Sequence, residues 1–376
     1  MLTMFKVNMN KSLEQLVNPF TALLQRREIN MNNELKELIE LANLTGPSGQ
    51  EYRVARYLEP ELVKYGYEIK HDALGNLIAL KKSKVSNAPT LALFAHMDEV
   101  GYMVKEICND GTLRGYALGG INPDILPTTR MRVLTSTGNT YKGMIRGIPP
   151  HLKDVATQTE YIFDFGFNSK EEAIEAGIAI ADPMVFDEDA YEIANGKSVL
   201  GKAIDDRAGC AALLKCAKYV SEYVFDYNLY FVFTTQEEVG TRGATAAAYA
   251  INPDLAIVCD ISPTMKEYGH RGEGVLIRHA DRNMVSFPRL IKFEKELFEE
   301  NNIKHQDYIS LGGTDAGAIH LTREGVPTLT MCLVAESIHS PSAIVDVNDY
   351  LSLVESIKTL LTKVDGAKIR HLKEHD

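Results

Sequence analysis

Residues 90–101 read TLALFAHMDEVG: an apolar run from Thr90 to Ala95 breaks at His96, and Asp98 and Gly101 follow. A short apolar run with such a boundary reads as a strand buried on both faces. In an open α/β sheet, ligands bind in the crevice beyond the carboxyl ends of such strands. The same kind of signal recurs along the chain. Asp205 and Asp206 open GKAIDDRAGCAALL, and Glu237 and Glu238 follow Tyr227–Thr235 in YNLYFVFTTQEEVG. Asp260 ends LAIVCD, and His339 comes shortly after VPTLTMCLVAE in ESIHSPS. Two histidines and several carboxylates on one sheet edge are what a pair of divalent metals needs, and they point to metal-dependent hydrolysis.

Outward from that stretch, the texture of the chain changes twice. Residues 31–98 alternate helix and strand: a helix from Met31 that ends at Thr45-Gly46-Pro47, a helix over 51–65, a strand near 67–71, then LIALKK and LALFAH. Residues 99–190 carry short β-like runs (GYMVKEI, TLRGYAL, RMRVLTS, TYKGMIRG, EYIFDFG) separated by Gly, Asn-Asp-Gly and Pro. From about Lys197 the α/β rhythm returns. It predicts helices over 206–223, 243–250, 286–301, 315–323 and 347–364, and strands over 227–235, 255–259 and 326–333. The expected fold is α/β: a mixed-sheet catalytic domain (31–98 and 191–376) with helices on both faces, interrupted by a small β-barrel-like insertion (99–190). Residues 1–30 read as an N-terminal extension with a short amphipathic pattern (Leu13, Leu16, Phe20, Leu23, Leu24) interrupted by Pro19, or as sequence upstream of a start at Met31.

Composition narrows the class. At 376 residues the chain has room for two domains, and 45% apolar and 24% charged residues are ordinary for a globular protein. A formal net charge of −11 argues against nucleic acid, whose binding needs basic patches. Anionic substrates stay open, because a local site can be cationic on an acidic protein. No apolar run is long enough to span a membrane, and the N-terminus lacks the h-region of a secretory signal. The five cysteines form no CxxC pair, which predicts reduced thiols and a cytoplasmic protein.

Histidine nitrogen and carboxylate oxygen suit Zn²⁺ or Co²⁺, with Mn²⁺ a further option. Two ions about 3.5–4 Å apart need one shared ligand. Asp205, at a strand-to-helix turn, can present both oxygens. His96 and Asp260 then complete one ion, and His339 with one of the adjacent glutamates the other. The remaining glutamate is free to take a proton from the water bridging the ions and pass it to a leaving amine. Spacing alone does not decide between Glu237 and Glu238. Asp98 is placed to orient His96. Asp206 reads as a helix cap, Arg207 as a surface partner for acids, and Thr314 and Asp315 either as caps of a following helix or as substrate contacts.

The chain resembles the M42 family of metallo-aminopeptidases, the glutamyl, leucyl and deblocking type that forms tetrahedral particles. The resemblance rests on AHMDEVGYMV (95–104), GIPPHL (147–152), EYIFDFGFNSKEEA (160–173), GKAIDDRAG (201–209), TTQEEVGTRGA (234–244), CDIS (259–262), SLGGTDAGAIH (310–320) with REGVPT (323–328), and IHSP (338–341), in the family's order across roughly residues 34–360. It implies an aminopeptidase acting on short peptides, with two divalent metals held by His96, Asp205, Glu238, Asp260 and His339. It also implies Glu237 as general base, residues 99–190 as a dimerisation domain, and homo-oligomers in which dimers join into a dodecamer. Where relatives often carry an Arg-Tyr pair before the IHS element, this chain has Glu336 and Ser337. A Glu336 side chain facing the pocket for the N-terminal residue predicts poor turnover of acidic N-termini. Other readings of the same residues are a deacylase or carboxypeptidase on the same metals, a glycan-active hydrolase, or a non-catalytic metal scaffold. The glycan reading is opposed by the absence of Trp, and the scaffold reading by the extra glutamate.

Overall fold

The computed structural model describes residues 34–149 and 161–374. The chain divides into two units, Met1–Glu37 and Leu38–Asp376. Of the first, the described residues 34–37 are helical, and the extension proposed for 1–30 lies outside the described residues. All that follows concerns the second unit, whose first helix, α1, covers residues 38–43.

An eleven-stranded mixed sheet forms the frame. Its early strands are β1 (Glu68–His71), β2 (Leu77–Lys81) and β3 (Thr90–His96). The barrel strands follow: β4 (Gly101–Ile107), β5 (Leu113–Leu118), β6 (Arg130–Leu134), β7 (Thr140–Ile145), β8 (Ile162–Asp164) and β9 (Pro183–Phe186). The sheet resumes with β10 (Tyr191–Ile193), β11 (Ser198–Gly201), β12 (Asn228–Thr234), β13 (Leu255–Pro263), β14 (Val275–Ala280), β15 (His305–Ile309), β16 (Thr328–Glu336) and β17 (Ala343–Asp346). The helices beyond α1 are α2 (Tyr52–Lys64), α3 (Lys170–Glu175), α4 (Ile204–Tyr219), α5 (Arg242–Ile251), α6 (Pro288–Glu300), α7 (Ala316–Ile319), α8 (Val347–Lys363) and α9 (Gly366–Lys373).

The centre of the sheet runs β12-β3-β13-β16, all parallel. These are the most continuously apolar strands, as expected where helices cover both faces. Leu93 stands between Phe231 and Ile257, and His96 pairs in register with Thr234. Four parallel strands therefore release their carboxyl ends on one edge. On one face, Ala92, Phe94, Val232 and Val258 pack with Ala244, Ala247 and Ala248 of α5 and with Ala316 and Ile319 of α7. α4 packs on β3 and β13 and against α8. Gly243 lets α5 approach the end of β12, since a Cβ there would lie 2.3 Å from Asn76 Oδ1 and 2.4 Å from the Thr235 carbonyl.

Between β3 and β10 the chain closes a six-stranded barrel in the order β4-β5-β8-β7-β6-β9. Its interior is filled by Val104, Leu113, Met131, Val133, Ile145, Phe163, Met184 and Phe186, with Tyr102 edge-on to Phe163 at 4.9 Å. Closure removes the free edges that such short strands would otherwise expose. The five cysteines are all free thiols, and four of them are buried.

A buried carboxylate on α6 has no hydrogen-bond partner among the described residues. On α6, Glu294 lies on the core face between Leu290–Ile291 and Leu297–Phe298, and neither carboxylate oxygen has a hydrogen-bond partner. Burial holds its pKa well above the ordinary 4.5, so the folded protein keeps it neutral. Below that ordinary value both states are protonated and the residue costs nothing on this account. As pH rises past it, the unfolded chain ionises while the folded one does not, and stability is lost. Glu294→Gln is expected to raise the thermal midpoint relative to wild type at pH 8, with the difference vanishing near pH 4. Parallel melts showing a pH-independent difference would contradict this.

Candidate metal and catalytic centre

The carboxyl edge of the parallel strands collects the acidic and histidine signals. β3 ends at His96, whose ring is almost fully buried and points Nε2 at Asp205 Oδ1, 3.2 Å away, and toward Asp260 Oδ1 at 3.9 Å. Asp260 lies within β13. Asp205 sits at the mouth of α4, where Asp205 and Asp206 both have non-helical backbone angles. Its second oxygen, Oδ2, faces His339 Nε2 at 3.4 Å, and the same nitrogen lies 3.2 Å from Glu238 Oε2. Two donor groups result, His96–Asp205–Asp260 and Asp205–Glu238–His339, with the donor atoms of each within 4.8 Å of one another. Asp205 belongs to both.

The surroundings hold these donors in place. Asp98 is fully buried, and its Oδ1 accepts the Glu237 N–H at 3.0 Å. Its Oδ2 accepts the Glu238 N–H at 3.1 Å and the Ser48 hydroxyl at 2.6 Å. Asp98 also faces the far side of His96, with its Oδ1 3.4 Å and its carbonyl 3.1 Å from Nδ1. One carboxylate thus fixes a histidine ring and the loop carrying both glutamates. Asp206 accepts the Gly209 N–H at 3.0 Å, the capping role read from its position, and also the His96 N–H at 3.2 Å. His339 Nδ1 donates to the Gly120 carbonyl at 2.7 Å, which leaves Nε2 free to act as a donor atom toward an ion.

The electrostatics are those of crowded carboxylates. Burial, with Asp205 and other acids close by, pushes Glu238 up to about 8 and Asp260 up to about 7. Burial likewise raises Glu237 well above the ordinary range. Asp205 goes the other way, because its hydrogen bonds to His339 and His96 outweigh its burial. Burial opposes the charge on the histidines, but Asp205 and Asp98 hold His96 high, and Asp205 and Glu238 take His339 up to about 10. Glu238 Oε1 is buried without a partner. A nitrogen-and-oxygen donor set with surplus negative charge and an unsatisfied buried carboxylate oxygen fits divalent cations.

The sequence profile described as M42 glutamyl aminopeptidase matches residues 75–355. The chain belongs to the M42 family. It is 35% identical to a glutamyl aminopeptidase of Lactococcus lactis subsp. cremoris, over 89% of this chain and 98% of that one. The aminopeptidase APDkam598 from the archaeon Desulfurococcus kamchatkensis superposes with a TM-score of 0.86 at 30% identity, covering 92% of this chain and 99% of that one. The TET1 peptidase of Pyrococcus horikoshii, described as assembling into a tetrahedron or a large octahedral shell, superposes with a TM-score of 0.79 at 30% identity, covering 88% and 98%.

In this M42 peptidase a cleft of about 580 Å³ opens over the donor groups. Glu237, Glu238, Arg278, Arg282, Asn283, Ser310 and Gly313 are among its lining residues. Thr314 and Asp315 do not line it. Both are buried, and Asp315 Oδ2 accepts the Thr234 hydroxyl at 2.5 Å. Glu336 also lies outside the lining, half-exposed and 4.0 Å from Arg271 Nε.

Arg207, expected at the surface, is wholly buried. Its guanidinium donates to the carbonyls of Leu41 (2.6 Å), Met97 (2.7 Å), Leu44 (3.2 Å) and Gly46 (3.2 Å), and so ties the start of α4 to the ends of α1 and β3. Sequence reasoning also missed Lys202 and Glu99, buried and paired at 2.8 Å. Both stand inside the motifs quoted above, within three residues of Asp205 and beside Asp98, and that adjacency was the available signal. Arg278 and Arg282 carried no motif of their own.

Proposed function

We propose that this chain is a metal-dependent aminopeptidase that removes the N-terminal residue of short peptides, with Glu237 as its general base. One observation carries the reading. The two oxygens of Asp205 face histidines of two different donor groups, while Glu237 lines the same cleft and belongs to neither group. Two divalent ions, Zn²⁺ or Co²⁺ and alternatively Mn²⁺, bound by these groups would polarise the scissile carbonyl and lower the pKa of a water. His96, Asp205 and Asp260 would hold one ion, and Asp205, Glu238 and His339 the other. Glu237 then takes a proton as the water oxygen attacks the carbonyl carbon, and returns it to the amide nitrogen as the C–N bond breaks. Asp98 holds the loop that carries Glu237 through the Glu237 N–H, which would keep that carboxylate beside a bound peptide. The barrel is proposed as the dimerisation region and the dimer as the unit of a dodecamer. The tetrahedral and octahedral shells described for the P. horikoshii TET1 peptidase support a large homo-oligomer, and a metal-loaded monomer in light scattering would overturn it.

The lining supports acidic N-terminal residues as preferred substrates, the reverse of the expectation built on Glu336. Arg282 is exposed in the cleft, and Arg278, paired with Asp281 at 3.3 Å, also lines it. The glutamyl aminopeptidase of L. lactis is in keeping with that preference. The test is a panel of Glu, Asp, Leu and Lys chromogenic substrates after chelation and separate reloading with Zn²⁺, Co²⁺ or Mn²⁺. Glu and Asp substrates should lead, and Arg282→Ala should lower their kcat/KM relative to Leu by about 10-fold, the scale of one charge-assisted hydrogen bond. Leu or Lys leading, with no effect of Arg282→Ala, would defeat the preference. Inactivity on the whole panel with every metal would defeat the peptidase reading itself.

A further inference from the structure

The two histidines of the centre are oriented by different parts of the fold. His96 stands at the end of β3, almost fully buried, with Asp98 from its own segment against Nδ1. His339 lies on the connection between β16 and β17, and its side chain is 31% exposed. Its Nδ1 donates to the main-chain carbonyl of Gly120, 219 residues away in sequence. Gly120 belongs to the barrel, just beyond β5.

The residue before it lies beside Glu238, another member of the same donor group. Gly119 has φ +90°, in the left-handed region that favours glycine. A Cβ built there would lie 2.7 Å from Val100 Cγ1, 3.2 Å from Glu238 Cβ and 3.4 Å from Glu238 Oε2. A Cβ at Gly120 would meet only His339 Nδ1, at 3.9 Å, which is ordinary contact. The barrel therefore presses a bare backbone against Glu238 and offers a carbonyl to His339. His96 and Asp260 have no such contact with this turn among the described interactions.

We infer that the Gly119–Gly120 turn is a positioning element for the Asp205–Glu238–His339 half of the centre, acting through main chain alone, and that the His96–Asp205–Asp260 half does not depend on it. This rests on the two-ion reading given above. Removing a partner that orients a metal ligand typically weakens the metal by about 10–100-fold. A Cβ at Gly119 would push on Glu238 and shift the turn that carries the Gly120 carbonyl, so Gly119→Ala should weaken one ion by about that factor and leave the other in place. Gly120→Ala, which keeps the carbonyl, should retain both.

The test is metal content per chain by mass spectrometry across a series of chelator-buffered Zn²⁺ concentrations, with the circular dichroism melt as the measure of folding. Wild type is expected to hold two ions, Gly119→Ala one at concentrations that saturate wild type, and Gly120→Ala two. If Gly119→Ala does not fold, Gly119→Ala/Val100→Ala carries the same test, because it removes the clash with Val100 and keeps the approach to Glu238. A wild type holding fewer than two ions overturns the two-ion reading and this inference with it. A wild type holding two, with the Gly119 variant equally tight at both sites or weakened at both alike, overturns the inference alone.

Discussion

Glu237→Gln is expected to leave folding and metal content unchanged while turnover falls by ~10²–10⁴-fold, the usual contribution of a general base. Glutamine keeps the size and the main-chain N–H that Asp98 Oδ1 accepts at 3.0 Å, and it removes only the proton acceptor. The neighbouring change should behave differently. Glu238 Oε2 stands 3.2 Å from His339 Nε2 within a donor group, so Glu238→Gln weakens a charged ligand. One ion should become exchangeable, and activity should partly return at high metal concentration. Metal analysis beside steady-state rates separates the two. Loss of metal in Glu237→Gln with retention in Glu238→Gln would reverse the assignments, and no rate effect from either would place the chemistry elsewhere.

Lys202→Met should cost about 3–5 kcal/mol of stability, the range for breaking one partner out of a buried ion pair. Lys202 is fully buried and donates to the carbonyls of Ala42 and Leu44, each at 2.9 Å, and to both oxygens of Glu99 at 3.0 and 2.8 Å. Burial lowers its pKa to about 8 even though Glu99 pulls the other way. Without the ammonium, Glu99 keeps only the Gly46 N–H at 3.0 Å and Arg207 at 3.4 Å. The Ala42 carbonyl and Glu99 Oε2 then lose the ammonium that they share, while the Leu44 carbonyl keeps Arg207 at 3.2 Å. Chemical denaturation of the metal-free proteins, wild type against variant, reads the loss directly. A change below about 1 kcal/mol, the scale of an exposed pair, would show that the cluster is solvated in solution.

What the sequence disclosed follows burial. Strands covered on both faces are continuously apolar, so β3, β12, β13 and β16 stood out, and the polar residues that stop them stood out with them. The run GYMVKEI coincides with β4, and the helix expected over 347–364 is α8 to within a residue. Elements with mixed or brief patterns did not show. β14 carries Arg278 and His279 in six residues, β17 has four residues after a polar loop, and α9 follows α8 too closely to read separately. The helix expected over 315–323 shrinks to the four residues of α7. Long-range main-chain acceptors are the other blind spot. Arg207 after two aspartates reads as a solvated charge, yet its shortest hydrogen bond, to Leu41 O, spans 166 residues. ALGGINP likewise carries only glycines and a proline of the kind that separate β-like runs, because a glycine's value there lies in what it allows another segment to approach.

The order of the central strands has a consequence for how the chain is made. β3 lies between β12 and β13, and both are encoded far downstream of it. Roughly 130 residues separate β3 from β12, so at ~5–20 residues per second the ribosome takes about 7–25 s to supply the first strand that can cover its edge. Every barrel strand is complete by Phe186 and can close in that interval. The nascent protein therefore passes through a stage with a finished barrel and a bare TLALFA strand beside it. That strand waits with both edges open, since its neighbours are β12 and β13, and it is also the segment that ends at His96.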